Sequence, residues 1–176
     1  EAERRLAAGK TVVLLPSPSR VEGRRSTFHN HFWNPIMFNW KPMIVGTRID
    51  HQHPAFRDFP TSYYADWQWW DIINYCRVME MQDTPRELRP FIQTIDSYDS
   101  NKKLVIAFEA KMNGGKLLGL TMDTKKDWEK RIAAHQLLKS IDNYVKSDAF
   151  NPTVELDESF METILKKNNK KSNKTK

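Results

Sequence analysis

Cys76 is the one cysteine in the 176-residue chain, so an internal disulfide is excluded and no thiolate cage for a metal can be built. No uninterrupted apolar run approaches the roughly 18 residues that a bilayer span requires. The first residues lack the basic-then-apolar layout of a signal peptide, which leaves a cytosolic protein or a piece whose export signal lies upstream. Asn113-Gly114-Gly115-Lys116 lacks the glycine spacing of a phosphate-binding loop. The net charge of +6 is also absent from most of the chain. Six lysines, Lys166, Lys167, Lys170, Lys171, Lys174 and Lys176, fall in the last eleven residues, and removing them leaves 22 basic against 22 acidic side chains. The body therefore carries no electrostatic footprint for a polyanion, and nucleic acid is not an expected partner. The tail 166–176 has no apolar residue to bury and is expected to be disordered.

What is present suffices for one sizeable core: 39% of residues are hydrophobic and 11% aromatic, in a chain too short for two ordinary domains. Residues 1–152 read as a single α/β domain, 153–165 as a short C-terminal segment and 166–176 as the tail. Residues 1–8 read as the end of a helix, Gly9 as its left-handed cap and Thr11 to Leu15 as a buried strand, an order found where one parallel α/β unit passes to the next. That opening implies that further elements lie upstream. Pro16 to Pro42 reads as an irregular segment, long enough to suggest function. Met43 to Ile49 is a short strand candidate, and 63–81 reads as a short strand leading into a helix.

From Phe91 the pattern is clearer. FIQTIDS, LVIAFEAKM and KLLGLTM are strand candidates, and Asn113-Gly114 supplies the positive φ angles of a tight antiparallel hairpin between the last two. Thr124-x-x-Asp127 resembles a capping box, and Trp128, Ile132, Leu138, Ile141 and Val145 recur at helical spacing, which predicts a final helix of about five turns.

Chemistry-bearing side chains concentrate between residues 28 and 71. Trp33, Asn34, Trp67, Trp69, Trp70 and Asp71 are the candidates for contact with carbohydrate or a neighbouring domain, because indole rings stack on the C–H faces of sugars and also fill interfaces. If Trp67–Trp70 were a strand, Trp67 and Trp69 would share one face and Gln68 and Trp70 the other. His29-x-His31 and His51-x-His53 could each chelate a metal if extended, with Asp50 or Asp66 adding an oxygen; the pairs serve equally as loop hydrogen-bonders. Asp50, Asp58, Asp66 and Asp71 are explained by capping and turn formation as readily as by catalysis.

The motifs FWNPIMF (32–38), DHQHPAFRDFPTSYYADWQWWDII (50–73) and the stretch from Lys116 to Pro152 resemble the C-terminal accessory domain that some large family-two glycoside hydrolases of the β-galactosidase and β-glucuronidase type carry after their barrel. The resemblance runs from about Leu6 to Pro152, and Trp67-Gln68-Trp69-Trp70-Asp71 is its most specific part. It implies a three-layer flavodoxin-like or glutamine amidotransferase-like α/β fold, N-terminally truncated, with its catalytic residues lost. No catalytic residue and no cofactor carry over, since that family's two glutamates sit on a barrel that cannot fit here. The implied partner is the upstream catalytic domain of the same chain, with oligosaccharide a further one, in a periplasmic or secreted protein. A stand-alone carbohydrate-binding module and an independent hydrolase using the His and Asp residues of 29–71 are the competing readings. Cys76, within INYCRVM, is expected to be a buried structural thiol and not an amidotransferase nucleophile.

Overall fold

In the computed structural model, residues 1–28, 44–97 and 100–166 are described. Helix α1 (Ala2–Ala7) ends at Gly9, whose φ of 69° is the expected left-handed turn, and strand β1 (Thr11–Leu14) follows. Strands β2 (Gly23–Arg25), β3 (Gly46–Ile49), β4 (Arg77–Glu80), β5 (Ile92–Ile95), β6 (Leu104–Met112) and β7 (Gly115–Leu120) complete a seven-stranded sheet. Its order is β1-β7-β6-β4-β2, with β5 also paired to β6 and β3 to β5. The sheet is mixed: β1 runs parallel to β7, and the other pairings among these strands are antiparallel.

The hairpin between β6 and β7 forms as its sequence requires. Asn113 at φ 50° and Gly114 at φ 79° make the two-residue connection, and Met112 pairs with Gly115. Along β6 the side chains divide between two cores. Leu104 and Ile106 join one with Ala134, Leu137, Ile141 and Tyr144 of α3 (Ile132–Val145), whereas Val105, Phe108 and Ala110 join another with Leu6 of α1 and Phe160, Met161 and Ile164 of α4 (Phe160–Ile164). A strand buried on both faces loses the polar alternation of a half-exposed one, which is why LVIAFEAKM reads as an almost unbroken apolar run.

The short C-terminal segment 153–165 packs on the body: Leu156 and α4 belong to the second core, and Lys111 donates its N–H to the Val154 carbonyl at 2.7 Å. Three expectations need correction. The final helix has 14 residues and begins at Ile132; Trp128–Lys130 form a separate 3₁₀ turn after Asp127, which sits at φ 50° and caps nothing with its side chain. The cause lies in Arg131, buried at that junction and held by groups from elsewhere in the fold, as described below. Within the supposedly irregular segment, Gly23–Arg25 form an edge strand with no apolar side chain to announce it. It is held instead by its ladder with β4 and by Arg24, which donates to Asp96 Oδ1 at 2.9 Å. Residues 63–81 do not run strand-to-helix: a 3₁₀ turn (Trp67–Trp69) leads into the short helix α2 (Trp70–Asn74) and then into β4.

Asp96 anchors the approach to β6. Burial pushes its carboxyl up, but Ser100 Oγ, the N–H groups of Lys102 and Ser97 and the Arg24 charge together outweigh burial and hold it below the ordinary carboxylate value.

Gly115 is where α1 and the end of the hairpin touch: a Cβ there would lie 2.7 Å from the carbonyl oxygens of Leu6 and Lys10. Those are backbone atoms and cannot swing away. Gly115→Ala is therefore expected to cost about 2 kcal/mol and lower the melting temperature by roughly 5 °C, measured by thermal circular dichroism. An unchanged melt would show that α1 is not seated against the hairpin.

Candidate functional site

The phrase Trp67-Gln68-Trp69-Trp70-Asp71 is locally a tight helical turn, not a strand. Asp66 opens it by accepting the Gln68 N–H at 3.2 Å. The turn then splits the three indoles in a way no strand would. Trp69 is fully buried, edge-on to Phe56 and Phe59, with its N–H donated to Thr61 Oγ1 at 2.7 Å. Trp67 is 81% exposed and Trp70 47% exposed. Trp67 also lies against Phe28, with ring centroids 5.6 Å apart.

Trp67 and Trp70 border a groove of about 540 Å³ that is also lined by Gln68, Asp71, Tyr75, Asp127, Lys130 and Ile132. Its floor is fastened by Arg131, whose side chain is 3% exposed. The guanidinium donates to Asp71 Oδ2 at 3.2 Å, to the Asp71 carbonyl at 3.3 Å and to the Asp123 carbonyl, and lies 4.6 Å from the Tyr75 ring centre. One side chain thus ties α2, the loop after β7 and the start of α3 together. The polar groups around the shelf are largely committed: the Gln68 amide donates to the Pro60 carbonyl at 3.0 Å, and Tyr75 donates to Asp127 Oδ2 at 3.3 Å. The surface offers aromatic faces and a polar rim, which suit binding. Of these residues Trp67, Trp70 and Asp71 were candidates from the sequence. Tyr75, Asp127, Lys130 and Ile132 were not: Tyr75 closes α2, and the other three reach the groove only through the packing of α3 and the turn before it beside α2.

Trp33, Asn34, His29 and His31 lie outside the described residues. His51 and His53 do not form a chelating pair: the His53 N–H bonds the Asp50 carbonyl at 2.9 Å in a turn, which leaves His51 exposed and turns His53 inward. Among the described residues, no three His, Cys, Asp or Glu side chains converge closely enough to hold a metal ion. The aspartates bear structure: besides Asp66 and Asp71, Asp58 Oδ2 accepts from Asn143 Nδ2 at 2.7 Å. Cys76 is buried, its thiol donates to the Ile72 carbonyl at 3.0 Å, and burial pushes it far above the ordinary thiol value, so no thiolate nucleophile forms there.

His53 instead belongs to a cluster beneath α3 that the sequence did not disclose. Its ring stacks on Phe91 at 4.5 Å and meets Tyr144 edge-on, its Nδ1 accepts the Ala55 N–H at 3.3 Å, and its Nε2 lies 3.6 Å from Glu109 Oε2. Tyr144 donates to the same Glu109 oxygen at 2.7 Å. The imidazole and carboxylate are close enough to pair if charged, but burial favours both neutral forms. It holds His53 below its ordinary value, partly offset by Asp50, and raises Glu109, partly offset by the Tyr144 hydroxyl.

The two groups load stability with opposite signs. With His53 below its ordinary 6.5, the unfolded chain takes the proton first, and stability is lost as pH falls through 6.5 toward the folded value. With Glu109 above its ordinary 4.5, the folded chain keeps the proton longer, and stability is lost as pH rises from 4.5 through the folded value. Relative to the unsubstituted protein, His53→Gln should gain stability as pH falls from about 7 to 5, and Glu109→Gln should gain as pH rises from about 4.5 to 7. Melting curves across that range read both signs; parallel curves would refute the buried arrangement.

Arg131→Lys keeps the charge but loses the fork that reaches Asp71 and Asp123 at once. It is expected to cost about 2 to 3 kcal/mol in urea denaturation and to red-shift the tryptophan emission as the floor loosens. An unmoved midpoint would show that the clamp is dispensable.

No helix among the described residues is long and apolar enough to cross a membrane. No curated protein matches the chain. A family described as a domain of unknown function, DUF8487, matches residues 1–166, nearly the whole sequence, and the chain belongs to that family.

Proposed function

We propose that this chain is a non-catalytic accessory domain of an exported carbohydrate-degrading enzyme, and that the Trp67–Trp70 shelf is its binding surface. The observation that carries the reading is the exposure of two tryptophans on a domain that buries the third of the same phrase completely. Large aromatics left in water beside a well-formed core cost hydrophobic free energy, and a face that keeps them is one that meets something. A sugar ring suits it, with C–H faces for the indoles and hydroxyls for the rim of Asp127 and Lys130.

Ile132, 81% exposed and lining the same groove, favours docking of a neighbouring protein module as the second role of this face, because a branched aliphatic side chain gives a sugar little and a protein interface much. The finer fold reading, flavodoxin-like or glutamine amidotransferase-like, is supported by the helix–Gly9–β1 unit running parallel to β7 and by helices against both faces of the sheet. The antiparallel remainder of the sheet weighs toward a divergent version of it.

Titrating neutral β-linked oligosaccharides while following tryptophan fluorescence tests the proposal. Binding with a blue shift, weakened about tenfold by Trp67→Ala or Trp70→Ala, is the expected outcome. If no sugar binds and iodide quenches these tryptophans equally in the chain alone and alongside a catalytic module, both roles fail.

A further inference from the structure

A second surface, remote in sequence from the tryptophan phrase, gathers charge that the composition conceals. Arg48 on β3, Arg86 and Arg89 in the β4–β5 connection and Lys103 just before β6 line one concavity of about 840 Å³, together with Thr84, Gln82, Gln93 and a single carboxylate, Asp50. Among the described residues no carboxylate forms an ion pair with any of the four cations, although acidic and basic residues are otherwise balanced in the body. Lys103 instead donates to Thr84 Oγ1 and to the Leu88 carbonyl, both at 3.0 Å. Burial, with the nearby Arg89 charge adding to it, lowers the lysine below its ordinary value. Four cations held around one depression repel one another and focus a positive potential into it, a cost that an anionic occupant relieves.

Two further features narrow the occupant. The concavity is bounded and of a size that takes a small ligand, whereas a nucleic acid strand would call for a basic stripe running on across the surface. Arg48 pairs through its backbone with Tyr64, which with Tyr63 forms an exposed aromatic pair beside the concavity's β3 wall, ring centroids 5.1 Å apart; Tyr64 is 50% and Tyr63 66% exposed. Aromatic faces suit the C–H surface of a sugar ring, and Gln82 and Gln93 add neutral amides between the cations.

We infer that the groove between β3, β5 and the β4–β5 connection binds a short acidic oligosaccharide, its carboxylates taken by Arg48, Arg86, Arg89 and Lys103 and a sugar ring laid against Tyr64. The choice of a sugar as carrier of the anionic groups rests on the carbohydrate reading above; the anion site itself does not.

Calorimetric titration of the full chain with trigalacturonate tests it. Binding should weaken steeply between low salt and about 0.5 M salt. It should weaken about tenfold with Arg48→Ala and again with Arg89→Ala, and be lost with the methyl-esterified trimer. Neutral β-linked oligosaccharides should not compete for it, which separates this groove from the tryptophan shelf. Both arginines are exposed, so the variants are expected to melt like the unsubstituted protein. No binding at millimolar trimer, or binding indifferent to both arginines, overturns the site. Pyrophosphate or a short single-stranded oligonucleotide bound through the same arginines more tightly than the trimer overturns the sugar.

Discussion

The burial of β6 on both faces is the constraint from which the architecture follows. Leu104, Val105, Ile106, Ala107 and Phe108 are all fully buried, so the strand needs a cover above and below the sheet. The longest helix supplies one, with Ala134, Leu137, Ile141 and Tyr144, and the two short terminal helices supply the other. Each of these helices contributes a few side chains and is too short to be stable alone, so the layers depend on one another. Lys111 on the same strand also receives the segment around Val154, which is how the C-terminal residues become part of the body.

Within that frame the site is made by a polar clamp and not by the core. Arg131 is buried where α3 begins and is satisfied by Asp71 and the Asp123 carbonyl while resting on Tyr75. A buried guanidinium is tolerated only with such complete partnering, and the same partnering sets α3 beside α2. The groove at Trp67 and Trp70 is the outer side of that junction. The tryptophan that is buried, Trp69, is the pin that holds the turn from inside through Phe56, Phe59 and Thr61.

The cationic groove has a different origin. Its four basic residues come from β3, from the connection after β4 and from the approach to β6, elements brought alongside by the pairing of β3 with β5 and β5 with β6. Only Arg86 and Arg89 are near neighbours in the sequence; Arg48 lies 38 residues before that pair and Lys103 14 residues after it. The sum of charges over the body is zero, and a local excess is invisible in a sum.

Some of this was legible in the residues alone. The Gly9 turn, β1, the Asn113-Gly114 hairpin and the two long strands follow from backbone preferences and hydrophobic runs that act over a few residues, and the structure has them where those forces require. The inert burial of Cys76 was legible for the same kind of reason. What tertiary contacts decided is the rest: that the aromatic phrase winds into a helical turn and divides its indoles between core and solvent, that α3 starts at Ile132 because Arg131 is held from elsewhere, and that Gly23–Arg25 is a strand at all. His53, Glu109 and Tyr144 meet across 91 residues of chain for the same reason. Local sequence sets what each short segment prefers, but side-chain neighbours separated by tens of residues are chosen by the packing of whole elements, and both candidate surfaces are built from such neighbours.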